Sequence, residues 1–187
     1  MERTHEIDLT AMTPASNRKD RPVTDANRKQ KISFSNGELI LNAPGDLECV
    51  QTPESYSFPL RIDITAKTNG SNIRLYYKEG RVILNWEINK DDLRIHDILT
   101  GKGCGCYGSG RIPENEYADI TWIIGRNEML ILVNEELRYI ENDLPYMTAR
   151  AVALNKKICE PVRISAAHGS TVTVKSLKVT ELEIMRE

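Results

Sequence analysis

Nowhere in the 187 residues does an apolar stretch approach the roughly 18 that a membrane helix needs, and none of signal-peptide length follows Met1-Glu2-Arg3-Thr4-His5-Glu6. The expectation is a cytoplasmic protein with no membrane partner. An excess of charge of one sign is also missing. Lys and Arg total 25 against 27 Asp and Glu, a formal net charge of −2, so no overall positive field draws the folded body to nucleic acid, which is not expected as a partner. Cysteine is scarce: Cys49, Cys104, Cys106 and Cys159 are expected as free thiols, because an even count implies no bridges in a reducing compartment. Helical periodicity is scarcer still. Only Tyr146 to Lys157 offers a turn or two, and without helices the crossovers of a parallel α/β fold cannot be built.

What the chain has instead is period 2. Leu60, Ile62, Ile64 and Ala66 alternate with Arg61, Asp63, Thr65 and Lys67, the spacing that sends successive side chains to opposite faces of a sheet. The alternation recurs at Ile73, Leu75 and Tyr77; at Val82, Leu84, Trp86 and Ile88; at Ala118, Ile120, Trp122 and Ile124; and at Met129, Ile131 and Val133. Val172 and Val174 alternate, then Leu177 and Val179 continue one step out of phase, which predicts a β-bulge near Lys175-Ser176. Turn signals such as Asn36-Gly37, Asn69-Gly70, Glu79-Gly80 and Gly169 fall between the runs at antiparallel-hairpin spacings. The pattern predicts an all-β, two-sheet antiparallel sandwich over residues 31–187, with Trp86 and Trp122 in its core. Residues 1–30, polar and interrupted by Pro14 and Pro22, read as an N-terminal arm or linker.

The order of elements resembles the concanavalin A-like lectin/glucanase superfamily, whose domains are jelly rolls of two antiparallel sheets. The matching segments are a first hairpin (Ile32 to Asn42), a long strand (Phe58 to Thr68), Ile120 to Asn134 followed by Leu137-Arg-Tyr139, and the closing Val172 to Leu182. In laminin-G-like and keto-disaccharide-hydrolase-like members a strand, a turn of the Asn/Asp-Gly-Glu kind and a second strand resemble residues 129–139. Here Glu135 stands where the glycine is expected, which predicts a turn of another type. The resemblance implies a jelly roll and a carbohydrate ligand.

Strand phase also marks a candidate site. If Ile73, Leu75 and Tyr77, then Val82 and Leu84, then Leu93 and Ile95 face inward, the residues between them face outward on three successive strands. That outward set is Arg74, Tyr76, Asn85, Glu87, Arg94 and His96. Planar donors and acceptors beside an aromatic ring suit a sugar, whose hydroxyls need hydrogen bonds and whose ring face is apolar. The plainer reading is a solvated strand face with cross-strand ion pairs such as Arg94 with Glu87.

Catalysis has weaker support. The Glu-x-Asp-x-(x)-Glu strand motif of the superfamily's glucanases does not occur, and Glu114 and Glu116 sit in a turn, so no catalytic residue is assigned. Thr100 to Gly110, with five glycines, reads as a mobile loop able to cover the neighbouring sheet face, with no helix after it to cradle phosphate. Cys104 and Cys106 offer two thiols where a structural zinc site takes four ligands, so neither metal nor cofactor is expected. Three functions follow from these readings: a non-catalytic lectin-like module binding sugar on the polar face, a glycoside hydrolase of the same fold using Glu87, or an intracellular sensor or interaction domain that pairs with another protein or a second copy of the chain.

Overall fold

The computed structural model describes residues 2–15, 31–45, 48–78, 80–97, 103–125, 128–141 and 158–183. Seventeen strands account for most of them. In chain order they are β1 (Arg3–Glu6), β2 (Thr13–Ala15), β3 (Ile32–Ser35), β4 (Glu38–Ala43), β5 (Glu48–Gln51), β6 (Tyr56–Ser57), β7 (Leu60–Thr68), β8 (Ile73–Tyr77) and β9 (Gly80–Leu84), followed by β10 (Asp92–Asp97), β11 (Gly103–Tyr107), β12 (Ala118–Ile124), β13 (Met129–Val133), β14 (Glu136–Glu141), β15 (Cys159–Glu160), β16 (Val162–Ala166) and β17 (Ser170–Glu181). One sheet runs β14-β13-β12-β7-β17-β4-β3, with β1 also on β17; the other runs β11-β10-β9-β8-β16-β5-β2; β15 and β6 form a short third ribbon. All pairings are antiparallel. The segment expected to hold a helical turn, Tyr146 to Lys157, lies outside the described residues.

The period-2 runs supply the core. Leu60, Ile62, Ile64 and Ala66 of β7 are buried with Ile120, Trp122 and Ile124 of β12, and the other sheet contributes Ile73, Leu75, Tyr77, Val82, Leu84, Leu93 and Ile95. The expected bulge is present: the β17–β7 register shifts between Val174 and Ser176, so Val172, Val174, Leu177 and Val179 are all buried. The bulge also divides the other edge of β17, where β4 pairs with residues 170–174 and β1 with residues 178–181.

Four expectations need correction. The arm over residues 1–30 is, from Arg3 to Ala15, part of the sandwich. β1 joins one sheet and β2 the other, and Leu9 and Met12 between them are buried in the core. Two buried residues three apart are too few to show a period, which is why composition hid them. The second correction concerns Trp86 and Ile88. β9 stops at Leu84 because Asn85 takes the left-handed φ of 47°, which breaks the alternation; Trp86 leaves the core and Ile88 is 75% exposed. Third, residues 103–107 are a strand and no loop: β11 pairs with β10 over five residues. Its glycines face outward and Cys104 and Cys106 pack against the core. Fourth, the β13–β14 hairpin keeps the primed geometry without the glycine. Asn134 and Glu135 have φ of 50° and 65°, both positive as a type I′ turn requires.

Candidate functional site

The outer face of the seven-stranded sheet is built by register. One row of facing residues runs Arg163, Tyr76, Arg81, His96, Gly103, and the next runs Ser165, Arg74, Ile83, Arg94, Gly105. Neighbours in such a row are separated by about 5 Å between Cβ atoms. Tyr76, Ile83 and Ser165 are buried and form the floor; the Tyr76 hydroxyl lies 3.2 Å from Ser165 Oγ and the Arg163 guanidinium sits 5.5 Å over its ring. Arg81, Arg94, His96 and Arg163 are half-buried above it. The two glycines of β11 make room for this layer. A Cβ on Gly105 would come within 2.7 Å of Arg94 Nη1, and one on Gly103 within 3.0 Å of His96 Nδ1.

Five of the six candidate residues reach this face, and Asn85 does not. Its side chain is fully buried, donating from Nδ2 to Gly70 O at 3.3 Å and to Ile112 O at 3.0 Å while Oδ1 accepts from Ile112 N at 2.8 Å. Asn85 therefore holds the backbone of two loops and has no atom to offer a ligand. Arg74 is 5% exposed and held on one side of its fork: Nε and Nη2 donate to Asn72 Oδ1, and Nη2 also reaches Glu87 Oε2 at 3.0 Å. His168 Nε2 approaches the other oxygen of Glu87 at 3.3 Å, so the carboxylate is clamped between a guanidinium and an imidazole. The expected partnership of Glu87 with Arg94 gives way to these two.

Arg94 instead stacks on the displaced Trp86, 4.5 Å from its ring, a cation–π arrangement. Tyr107, facing Asp92 across the β10–β11 ladder, is 79% exposed. Sequence reasoning missed Arg81, Trp86, Tyr107, Arg163 and His168. Arg81 shares the phase of Ile83 and was available from the spacing. The same spacing places Trp86 in the core, Arg163 comes from a strand whose pairing with β8 spans more than 80 residues of sequence, and His168 sits in the turn that follows that strand.

Burial pushes the His96 imidazole down to about 4, and the charges of Arg81, Arg94 and Arg74 act in the same direction against a smaller opposing effect of Glu87. Folded His96 is neutral at pH 7. An unfolded histidine takes a proton near 6.5, so between about 6.5 and about 4 the unfolded chain binds the extra proton. His96 thus contributes stability at neutral pH that is lost as pH falls through that window. The urea midpoint is expected to decline from pH 7 to pH 4 with a shallower decline in His96→Gln; equal slopes would show that His96 does not titrate with this shift.

Beyond the Asp92–Tyr107 end of the ladder lies an open cleft of about 600 Å³, lined by residues that include Asp91, Arg111 and Glu114. Its charges are paired, Arg111 with Asp91 and Lys90 with Glu114 at 2.6 Å each. Among the described residues no group of three or more His, Cys, Asp or Glu is placed to hold a metal ion. Cys104 Sγ lies 3.7 Å from the Tyr139 hydroxyl, and burial raises the Cys106 thiol above its ordinary value.

No protein-family profile and no curated protein matches the chain. Solved structures do. A non-specific endo-β-1,3(4)-glucanase of family GH16 superposes with a TM-score of 0.61 at 11% identity, covering 94% of this chain and 86% of that one. The carbohydrate-binding module CBM66 from Bacillus subtilis gives 0.56 at 7% identity over 79% and 90% of the two chains. The κ-carrageenase from Pseudoalteromonas carrageenovora, solved with an oligotetrasaccharide of κ-carrageenan, gives 0.52 at 8% identity over 82% and 83%. Identities this low show the fold alone, a jelly roll of two antiparallel sheets. Its solved examples include both carbohydrate-cleaving enzymes and a carbohydrate-binding module.

Proposed function

We propose that this chain is a non-catalytic carbohydrate-binding module that takes a saccharide on the outer face of its seven-stranded sheet. The observation that carries this reading is the composition of that face: Trp86, stacked on Arg94, and the exposed Tyr107, opposite Asp92, lie at one end of it, and Arg94, Arg81 and His96 extend from there, rings for the apolar face of a sugar beside donors for its hydroxyls. The resemblance of the fold to CBM66 and to GH16 enzymes supports the ligand class.

The hydrolase alternative needs two carboxyl groups flanking the scissile bond, about 5–10 Å apart depending on stereochemistry. Among the described side chains of this face the carboxylates are Glu87 and Asp92, and Glu87 is already held by Arg74 and His168. That clamp occupies both oxygens of the carboxylate and leaves neither free to reach a leaving group.

Affinity electrophoresis in gels containing laminarin, polygalacturonate or κ-carrageenan tests the proposal. At least one polysaccharide is expected to retard the protein, and Trp86→Ala is expected to weaken that retardation about fivefold, the scale of one aromatic contact, without changing the urea midpoint. Unchanged affinity in Trp86→Ala would move the site elsewhere. Release of reducing ends that disappears in Glu87→Gln would establish the hydrolase instead.

A further inference from the structure

The nitrogen atoms of the face point to the chemical class of the saccharide, on the reading that it binds saccharide at all. Arg81 Nε, Arg94 Nε and His96 Nε2 are each shielded from solvent and have no hydrogen-bond partner among the described residues. Buried polar nitrogens almost always have partners. Here three from adjacent positions lack them: Arg81 faces His96 directly across the β9–β10 ladder, and Arg94 is two residues along the same strand on the same face. Arg74 differs, one side of its fork held by Asn72 and Glu87, and Arg163 donates to Lys78 O at 2.9 Å. The open donors therefore concentrate on β9 and β10.

Charge agrees with this concentration. Across the two rows together with Glu87 and the adjoining Asp92, four arginines (Arg74, Arg81, Arg94, Arg163) stand against two carboxylates (Glu87, Asp92), 4 − 2 = +2 from these groups, on a chain whose formal net charge is −2. A neutral glucan presents only hydroxyls, whose hydrogen bonds to guanidinium groups are weaker than those of an anion. A planar carboxylate or a sulfate matches the guanidinium fork with paired, charge-assisted hydrogen bonds. Gly103 and Gly105 keep the ground beneath Arg94 and His96 clear, with Arg94 Nη1 over Gly105 and His96 Nδ1 over Gly103, so both side chains lie across β11.

We propose that the saccharide bound on this face is acidic, with a carboxylate or sulfate seated against Arg81, Arg94 and His96. Arg74, with Asn72, is a positioning residue that fixes Glu87 beside that seat.

Isothermal titration of the full chain in about 150 mM NaCl, where charges farther apart than about 8 Å are screened, separates the outcomes. The probes are polygalacturonate (carboxylate), κ-carrageenan (sulfate), laminarin (neutral) and polyglutamate (an anion that is not a saccharide). One of the two acidic polysaccharides is expected to bind at least about tenfold more tightly than laminarin and polyglutamate, and Arg81→Gln and Arg94→Gln are each expected to remove about tenfold, the loss of one charge-assisted hydrogen bond. Lys178→Gln, on the opposite sheet, is expected to change nothing. Arg94→Lys, which keeps the charge and loses the fork, is expected to recover only part of the affinity even if a glutamine variant folds poorly. Binding of laminarin equal to that of the acidic polymers, indifferent to both arginines, would overturn the acidic ligand and leave carbohydrate binding standing. No binding to any polysaccharide would overturn both, and equal binding of polyglutamate would reduce the face to a general anion site.

Discussion

Asn85→Ala is expected to lower the stability of the domain by about 4 kcal/mol, far more than any change among the exposed groups of the face. The side chain makes three hydrogen bonds to backbone groups of Gly70 and Ile112, and a buried backbone group left without its partner costs about 1–3 kcal/mol. Alanine must also hold the left-handed φ of 47° that asparagine tolerates, adding about 1 kcal/mol. The cost does not simply add, since two of the groups belong to one residue, Ile112, and a water can enter once the amide is gone. Chemical denaturation reads the result directly. A midpoint within experimental error of the parent would mean that Asn85 has no structural role and is free to bind a ligand. Arg94→Ala is expected to leave the midpoint nearly unchanged, because its guanidinium is half-buried and its contact is with Trp86.

Gly110→Ala is the second large effect. Gly110 is buried where the chain leaves β11; its N–H donates to Asp91 O at 2.9 Å and its carbonyl accepts from Asn85 N at 3.0 Å. An added Cβ would lie 2.2 Å from the Asp92 carbonyl carbon, 2.3 Å from its oxygen and 2.4 Å from Leu93 N. All three are backbone atoms, so no rotamer change relieves the overlap, and the start of β10 must move. Overpacking of this kind costs about 3 kcal/mol or more. Because β10 carries Arg94 and His96, the variant is also expected to lose saccharide affinity in proportion to that displacement. Gly45→Ala, where the added Cβ meets nothing within 4 Å, is the matched control and is expected to be close to neutral. A Gly110→Ala protein as stable as Gly45→Ala would contradict the close packing of this turn against β10.

The sandwich was legible because its strands are half-buried, and half-burial writes itself as alternation. β7 and β12 follow their apolar phases residue for residue, and the bulge at Lys175 was visible because an extra residue shifts that phase. What escaped had no side-chain pattern to read. β11 alternates glycine with cysteine and imitates a flexible loop, although its glycines are required by the arginine and histidine that cross them. Asn85 illustrates the opposite failure: it stood in phase with Ile83 and Glu87, but a single left-handed residue ends the strand, buries the asparagine and brings Trp86 to the outer face. Arg74, Tyr76, Arg94 and His96 do share one face, since neighbouring hairpins keep their phase; Arg163 and His168 joined them only through a long-range pairing that no local spacing encodes.

The most direct test of the central claim is a titration of ¹⁵N-labelled protein, followed by amide chemical shifts, with laminaritetraose, tetragalacturonate and a κ-carrageenan tetrasaccharide. An acidic oligosaccharide is predicted to shift amides of β8 to β11 and the Trp86 indole N–H, leaving β7, β12 and β13 unmoved. Shifts confined to the eight-stranded sheet, or none with any of the three oligosaccharides, would contradict a saccharide site on the outer face of the seven-stranded sheet.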